Sequence, residues 1–335
     1  MTGLMGILSQ GISESTLETV GRLIVSVERE LLAQTLSTVE TVEEVGVVTL
    51  KAGGKRLRPA LVAVSALATG LPFNEDRAVR IGASLELIHM ATLIHDDVID
   101  EAKTRRGHET AASLHGNTAA ILSGDVLLSR AMRLLALDGD LRIIRTVSEA
   151  VVELAEGEVR ELEVRGLFGL EEAEHRRILE KKTAALISCA CKVGAILAGA
   201  DARQEEALTL YGHHLGMAFQ IADDLLDFRG DQVKTGKPWA TDFREGQATL
   251  PLIFLRETLA TDEATFMEKL FGNGVKDNEL EEICGWMDSR GAFGRAQESA
   301  RDESCKAVAQ LEVLPETTYR GLLENVARFV TEREA

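Results

Sequence analysis

The sequence predicts an all-α chain, and three observations carry that prediction. Apolar residues recur at i, i+3, i+4 and i+7 over long runs, while the period-2 alternation of strands is scarce. Only five prolines interrupt 335 residues. Hydrophobic residues make up 45% of the chain and aromatics only 4%, so a sizeable core must be built from aliphatic side chains and alanine. No linker, low-complexity tract or block of like charge divides the sequence, which predicts a single domain over residues 1–335.

Residues 13–50 read as two helices. Ser13-Glu14-Ser15-Thr16 offers N-caps ahead of Leu17, Val20, Leu23, Ile24, Val27 and Leu31, which share one helical face. Lys51 to Pro59 then reads K-A-G-G-K-R-L-R-P. The two glycines make a turn, and Pro59 suits the first position of a helix running to Ala68. A basic helix start gathers donors and the helix dipole in one place, which suits an anion. A long helix follows over 75–101, with His89 on nearly the same side as Asp96. Lys103, Arg105 and Arg106 come just after it, where cations complement the dipole. Further helices are expected over 111–137 and 141–165, the latter with Glu156, Glu158, Glu161 and Glu163 on a solvated face. The next spans 172–199, where Lys181-Lys182-Thr183 abuts a run of small residues from Ala184 to Ala200. A helix over 204–228 precedes a loop from Gly230 to Gly246 that carries Lys234, Lys237 and Pro238. Thr249-Leu250-Pro251 opens another helix. Amphipathic helices fill the chain from about 257, with Leu314-Pro315-Glu316 separating the last two.

Two of these helices carry the same chemical signal. Asp96-Asp97-Val98-Ile99-Asp100 and Asp223-Asp224-Leu225-Leu226-Asp227 both read D-D-x-x-D inside apolar helical sequence. Residues three and four apart share a helix face, so each motif gathers three carboxylates on one patch. Such crowding raises their pKa values and destabilises the helix unless something neutralises it. Neither Lys nor Arg lies within either triplet or in the four residues before it. A hard divalent cation does the job, and Mg²⁺ fits because it binds one or two carboxylates and completes its shell with waters and phosphate oxygens. Taken singly, such a motif is more often a solvated helix face. Two copies flanked by Leu, Ile, Val and Ala are not.

The net charge of −17 argues against a nucleic-acid partner. Cys189, Cys191, Cys284 and Cys305 lack zinc spacing and read as free thiols of a reducing cytosol. Met1 to Gly11 lacks the basic and apolar regions of a signal peptide. The most apolar run, Leu186 to Ala200, contains Lys192 and falls short of the roughly 20 residues a membrane span needs.

Paired metal patches, separate cation clusters and an apolar interior suit a substrate with a diphosphate head and a hydrocarbon tail. At this point the chain resembles the trans-isoprenyl diphosphate synthases, and within them the bacterial long-chain, octaprenyl-type branch. The matching motifs are G-G-K-R-L-R-P at 53–59, L-I-H-D-D-V-I-D at 93–100, R-R-G at 105–107 and K-T-A at 182–184. They continue with F-Q-I-A-D-D-L-L-D at 219–227, T-G-K-P at 235–238 and T-L-P at 249–251. L-E-V-L-P-E-T at 311–317 is similar to the octaprenyl branch.

The resemblance implies a large helical bundle with a central substrate cavity, a cytoplasmic homodimer, and peripheral membrane contact for product release. It implies Mg²⁺-dependent condensation of isopentenyl diphosphate onto an allylic diphosphate such as farnesyl diphosphate. Asp96, Asp100 and Asp223 would hold Mg²⁺, with Asp97, Asp224 and Asp227 assisting. Lys55, Arg58, His89 and Arg106 would grip isopentenyl diphosphate. Arg105, Lys182 and Lys237 would grip the allylic diphosphate, and Thr183 and Gln220 would face the reacting carbons. Ala91, Thr92 and Met132 match positions that set product length; the first two carry aromatics in short-chain relatives and are small here. One departure is Gln247, where most of the family has Lys.

Rival readings leave more of the sequence unused. A class I terpene cyclase would lack the second D-D-x-x-D. A di-iron bundle could use Glu86-x-x-His89 and Glu172-x-x-His175, but His175 sits among charged residues that read as exposed. A silent subunit of a heteromeric synthase usually lacks one aspartate motif. A shorter-chain synthase remains the alternative within the family.

Overall fold

The computed structural model describes residues 13–105, 107–229 and 239–332. It groups into two compact units. One takes residues 1–151, 189–209 and 311–325; the other takes 152–188, 210–310 and 326–335. As expected, the described chain is helical almost throughout.

The first unit begins with α1 (Glu14–Thr35) and α2 (Glu40–Lys51). Ser13 caps α1 as expected, accepting from the Thr16 amide at 3.3 Å. Helix α3 (Leu57–Ala68) starts earlier than its proline suggests, so Pro59 is its third residue and not its first. Helix α4 (Glu75–Ile99) is capped by Asn74 and is buried on every face between Ile81 and Ile88. Such burial on all sides marks a central helix. It packs along α1, α3 and the later helix α6 (Asn117–Asp138). A hairpin of two-residue strands, β1 (Thr104–Arg105) and β2 (His108–Glu109), follows α4. The helix expected over 111–137 is divided into α5 (Ala111–His115) and α6, because Gly116 takes φ +82 between them.

Helix α7 (Leu141–Val164) begins in the first unit and ends in the second. The segment expected as one helix over 172–199 has three parts. Helix α8 (Glu172–Leu179) leads into a π-helical turn (Glu180–Ala184), which leads into α9 (Ala185–Leu197). Helix α10 (Ala202–Arg229) carries the second aspartate motif. The expected loop to Gly246 contains a short helix, α11 (Thr241–Glu245). Then come α12 (Leu250–Arg256), α13 (Thr261–Leu270), α14 (Asp277–Ser289), α15 (Ala292–Gln310) and α16 (Thr318–Glu332).

Small residues let these helices touch, as the run after Lys182 predicts. In the second unit a Cβ on Gly216 of α10 would lie 2.5 Å from the Ala184 Cα; in the first, one on Gly194 would lie 2.5 Å from the Val62 carbonyl oxygen. Ile221, Phe243, Leu250, Leu252, Ile253, Leu280 and Ile283 lie in one apolar core in the second unit.

That unit also buries an ionic contact. Glu303 of α15 accepts from His214 of α10 at 2.7 Å and from Lys306 at 2.8 Å. Burial alone would push the Glu303 carboxyl up, but these donors hold it near about 2, below its usual 4.5. A depressed carboxylate stabilises the fold above its unfolded pKa and loses that contribution as pH falls through the folded one. Glu303→Gln is therefore expected to lower the unfolding free energy by about 1–3 kcal/mol at neutral pH. Denaturant titrations should show the deficit shrinking between pH 4.5 and 2; a deficit constant over that range would exclude the charge as its cause.

Candidate active site

In the first unit the basic turn is fixed by its middle arginine. Arg56 precedes α3 in the left-handed region, at φ 49. Its Nε donates to Glu28 at 2.6 Å, one Nη to Glu86 of α4 at 3.1 Å and the other to the Leu50 carbonyl at 3.0 Å. Arg56 is only 6% exposed and Glu86 only 3%. This pair holds the start of α3 against α4, with Lys55 exposed on one side and Arg58 half-buried on the other. The Arg58 Nε and the second Glu86 oxygen are buried without a hydrogen-bond partner. Burial pulls the Arg58 pKa down and Glu86 opposes it. His89 lies one turn beyond Glu86 on α4, half-buried. One oxygen of Glu86 is thus held by an arginine.

The first aspartate patch closes α4. Asp96 is half-buried, Asp97 is 5% exposed and Asp100 faces solvent. The hairpin, turning at Gly107 with φ +79, brings Arg105 back so that its Nε donates to Asp97 at 2.7 Å. A base therefore does neutralise part of this patch. It comes from eight residues downstream, beyond the reach of helical spacing. Arg106 lies outside the described residues. His95 packs against α6, where a Cβ on Gly124 would sit 2.4 Å from its Nε2. One turn before Asp96, the Thr92 hydroxyl donates to the His89 carbonyl at 2.9 Å; Ala91 is buried and Met132 half-buried.

The second unit assembles a chain of polar contacts beside its own patch. The Thr183 hydroxyl donates to Gln220 at 2.8 Å, and the Gln220 amide donates to Asp224 Oδ1 at 2.9 Å. Asp224 Oδ2 lies 3.4 Å from His175 Nε2, and neither atom has a hydrogen-bond partner. His175 is 5% exposed, which corrects its expected exposure: the charged residues around it occupy the outer face of α8, and it occupies the inner one. Asp227 accepts from the Thr241 and Asp242 amides at 3.1 and 3.0 Å and so caps α11. Asp223 faces solvent.

His175, Thr183, Gln220 and Asp224 line a cavity of about 190 Å³ together with Lys182, Glu161, Arg165, Gln247 and Asp242. Lys182 is not free within it. Its Nζ donates to Glu161 and, at 3.0 Å, to Glu158. The expected solvated face of α7 is therefore only half solvated: Glu156 and Glu163 are exposed, while the Glu158 and Glu161 side chains are 12% and 16% exposed. Lys237 and the rest of 230–238 lie outside the described residues. Asp242 and Glu161 have no D-D-x-x-D spacing to announce them. Burial first, then the charges of Asp227, Asp224, Glu161 and Asp223, push the Asp242 carboxyl well above its usual range.

Among the described residues no three acidic, histidine or cysteine side chains converge on one metal position, while the donor types are those of a hard cation. Both patches offer carboxylate oxygens, and Asp224 Oδ2 is a buried acceptor with no donor. Asp97 is bound to Arg105, and Asp227 to backbone amides.

Comparison with known proteins decides the family. The profile described as polyprenyl synthetase matches residues 39–287. This chain belongs to the polyprenyl synthetase family. It is 36% identical over 308 residues to the octaprenyl diphosphate synthase of Escherichia coli (strain K12), covering 92% of this chain and 95% of that one. It is 36% identical to an all-trans-nonaprenyl-diphosphate synthase of Rhodobacter capsulatus, over 85% of this chain and 86% of the relative. Among solved structures, a decaprenyl diphosphate synthase from Rhodobacter capsulatus superposes with a TM-score of 0.89 at 34% identity, covering 95% and 98% of the two chains. A polyprenyl synthase from Caulobacter crescentus CB15, complexed with calcium and isoprenyl diphosphate, gives 0.88 at 34% identity, covering 95% and 97%. This polyprenyl synthetase is accordingly a prenyltransferase of the trans-prenyl diphosphate synthase class with the all-α isoprenoid synthase fold. Among its described residues, no helix is long and apolar enough to cross a membrane.

The Arg56–Glu86 contact generates a test. Removing one partner of a buried ion pair typically costs about 3–5 kcal/mol, because the other charge is stranded. Arg56→Ala should lose that much stability by denaturant titration, and Glu86→Gln in the same background should restore part of it. An Arg56→Ala protein as stable as the wild type would show that this pair does not hold α3.

Proposed function

We propose that the chain is a long-chain all-trans polyprenyl diphosphate synthase. It extends an allylic primer, farnesyl diphosphate, with isopentenyl diphosphate to an octaprenyl-range product for quinone side chains. The observation that carries this reading is the small pair Ala91-Thr92 one turn before Asp96 on α4, which leaves no aromatic floor there. The similarity to octaprenyl and nonaprenyl synthases points the same way. Incubating the purified protein with both substrates and Mg²⁺ and sizing the products tests it; products that stop at three or four isoprene units would overturn it.

In this reading Asp96, Asp100 and Asp223 hold Mg²⁺, with Asp97, Asp224 and Asp227 supporting them. When bound, the ion offsets the charge that builds on the departing diphosphate. Lys55, Arg58, His89 and Arg106 hold isopentenyl diphosphate, while Arg105, Lys182 and Lys237 hold the allylic diphosphate. Thr183 and Gln220 present hydroxyl and amide dipoles to the reacting carbons. The double bond of isopentenyl diphosphate attacks the allylic cation, and the released diphosphate accepts the lost proton, so no side-chain base is needed. Gln247 removes one cation from the allylic side, where Lys237 remains. The whole chain serves as one catalytic domain. A cytoplasmic homodimer with peripheral membrane contact at product release completes the proposal. The exposed apolar side chains Leu122, Leu137 and Leu141 support a partner surface.

Asp96→Ala and Asp223→Ala should each reduce turnover by at least ~10², the usual value of one electrostatic transition-state contact. Near-wild-type rates at saturating Mg²⁺ would take both motifs out of the mechanism. Ala91→Phe combined with Thr92→Phe should shorten the main product to a few isoprene units while the first condensation continues, and Met132→Ala should lengthen it. Chromatography of the products reads this directly; unchanged length in an active double variant would place the floor elsewhere.

A further inference from the structure

Two lysines of the π-helical turn face α7, and their contacts differ in kind. Lys181 is tied at the surface to Glu153 at 2.9 Å and Glu156 at 2.6 Å. Gly157 allows the approach, since a Cβ there would lie 2.8 Å from both the Lys181 Cβ and the Lys182 amide nitrogen. The docking of the turn on α7 is therefore secured without Lys182. Yet Lys182 is held by two further carboxylates, Glu158 and Glu161, and the second of these lines the cavity beside Thr183, Gln220 and Asp224. Burial pushes the Glu161 carboxyl up, with Lys182 the first of the opposing influences. Asp224, Asp242 and Arg165 also line the cavity, and Gln247 adds no charge to it.

We propose that Glu161 is an internal competitor for the diphosphate: it occupies Lys182 while the site is empty and must give it up when a diphosphate binds. This inference rests on the assignment of Lys182 to the allylic diphosphate. Its physical content is that the bound diphosphate displaces a paired carboxylate and then lies in the same cavity as an anion that has lost its counter-ion. Both effects weaken diphosphate binding. The same effects favour release of inorganic pyrophosphate after each condensation, and an enzyme that repeats the reaction on one growing chain must shed that product every cycle.

Glu161→Gln tests the idea, because it removes the charge and leaves Lys182 paired with Glu158. The Michaelis constant for farnesyl diphosphate and the inhibition constant for inorganic pyrophosphate should each fall about tenfold, within the range of a charge-assisted contact. The constant for isopentenyl diphosphate should not move, and Glu161→Asp, which keeps the charge, should stay closer to wild type. Calorimetric titration with pyrophosphate reads the same change without turnover, and thermal unfolding checks the fold. Glu158→Gln with Glu161→Gln should tighten binding further. Constants within twofold of wild type in Glu161→Gln would overturn the proposal. A rise would overturn it too, by showing that Glu161 positions Lys182 for its ligand. Lys182→Ala separates this failure from that of the underlying assignment: a raised farnesyl diphosphate constant keeps Lys182 at the allylic site, and an unchanged one removes it.

Discussion

Like-charge repulsion among carboxylates on two apolar helices is the constraint around which the rest of the protein is arranged. Each D-D-x-x-D motif crowds three acids onto a helix end that the core needs in place. The first is relieved by a hairpin whose positive-φ glycine returns Arg105 to Asp97. The second is relieved piecemeal. Gln220 takes one oxygen of Asp224, and the amides that open α11 take both oxygens of Asp227. Both patches also present carboxylate oxygens, the donors that a divalent cation takes.

The helices were largely legible because their signals are local. The cap at Ser13, the scarcity of proline and the apolar spacing of Val20, Leu23, Val27 and Leu31 all act within a few residues. The breaks were less legible. Gly116 divides one expected helix by its positive φ, which a glycine permits without requiring. The π-helical turn at 180–184 has no composition of its own, and its apolar pattern still reads as helix.

In the candidate site the motif residues were visible, and their partners were not. Spacing places Asp223, Asp224 and Asp227 on one patch, but it does not say that His175 arrives from α8 or Glu161 from α7. The charged neighbours of His175 made it look exposed. On a helix of eight residues, one position can be buried while those on either side are not. The glutamates of α7 misled for a related reason: acids at such spacing look solvated until the lysines opposite them are known. Arg56 was read as part of a basic turn, whereas its pairing with Glu28 and Glu86 makes it the anchor of that turn.

The π-helical turn also sets a phase. In an α-helix each residue advances by about 100°, so a turn wound with one extra residue displaces everything after it around the axis. Before the turn, His175 reaches Asp224; within it, Lys181 and Lys182 meet α7, and Ala184 lies under Gly216 of α10. Two surfaces of one continuous rod are thereby put in register with two neighbours. The fold should consequently tolerate changes of side chain at 180–184 far better than changes of length. Deleting Thr183 alone would keep every charge of the turn, yet it would turn the lysines away from their glutamates or lift Ala184 from beneath Gly216.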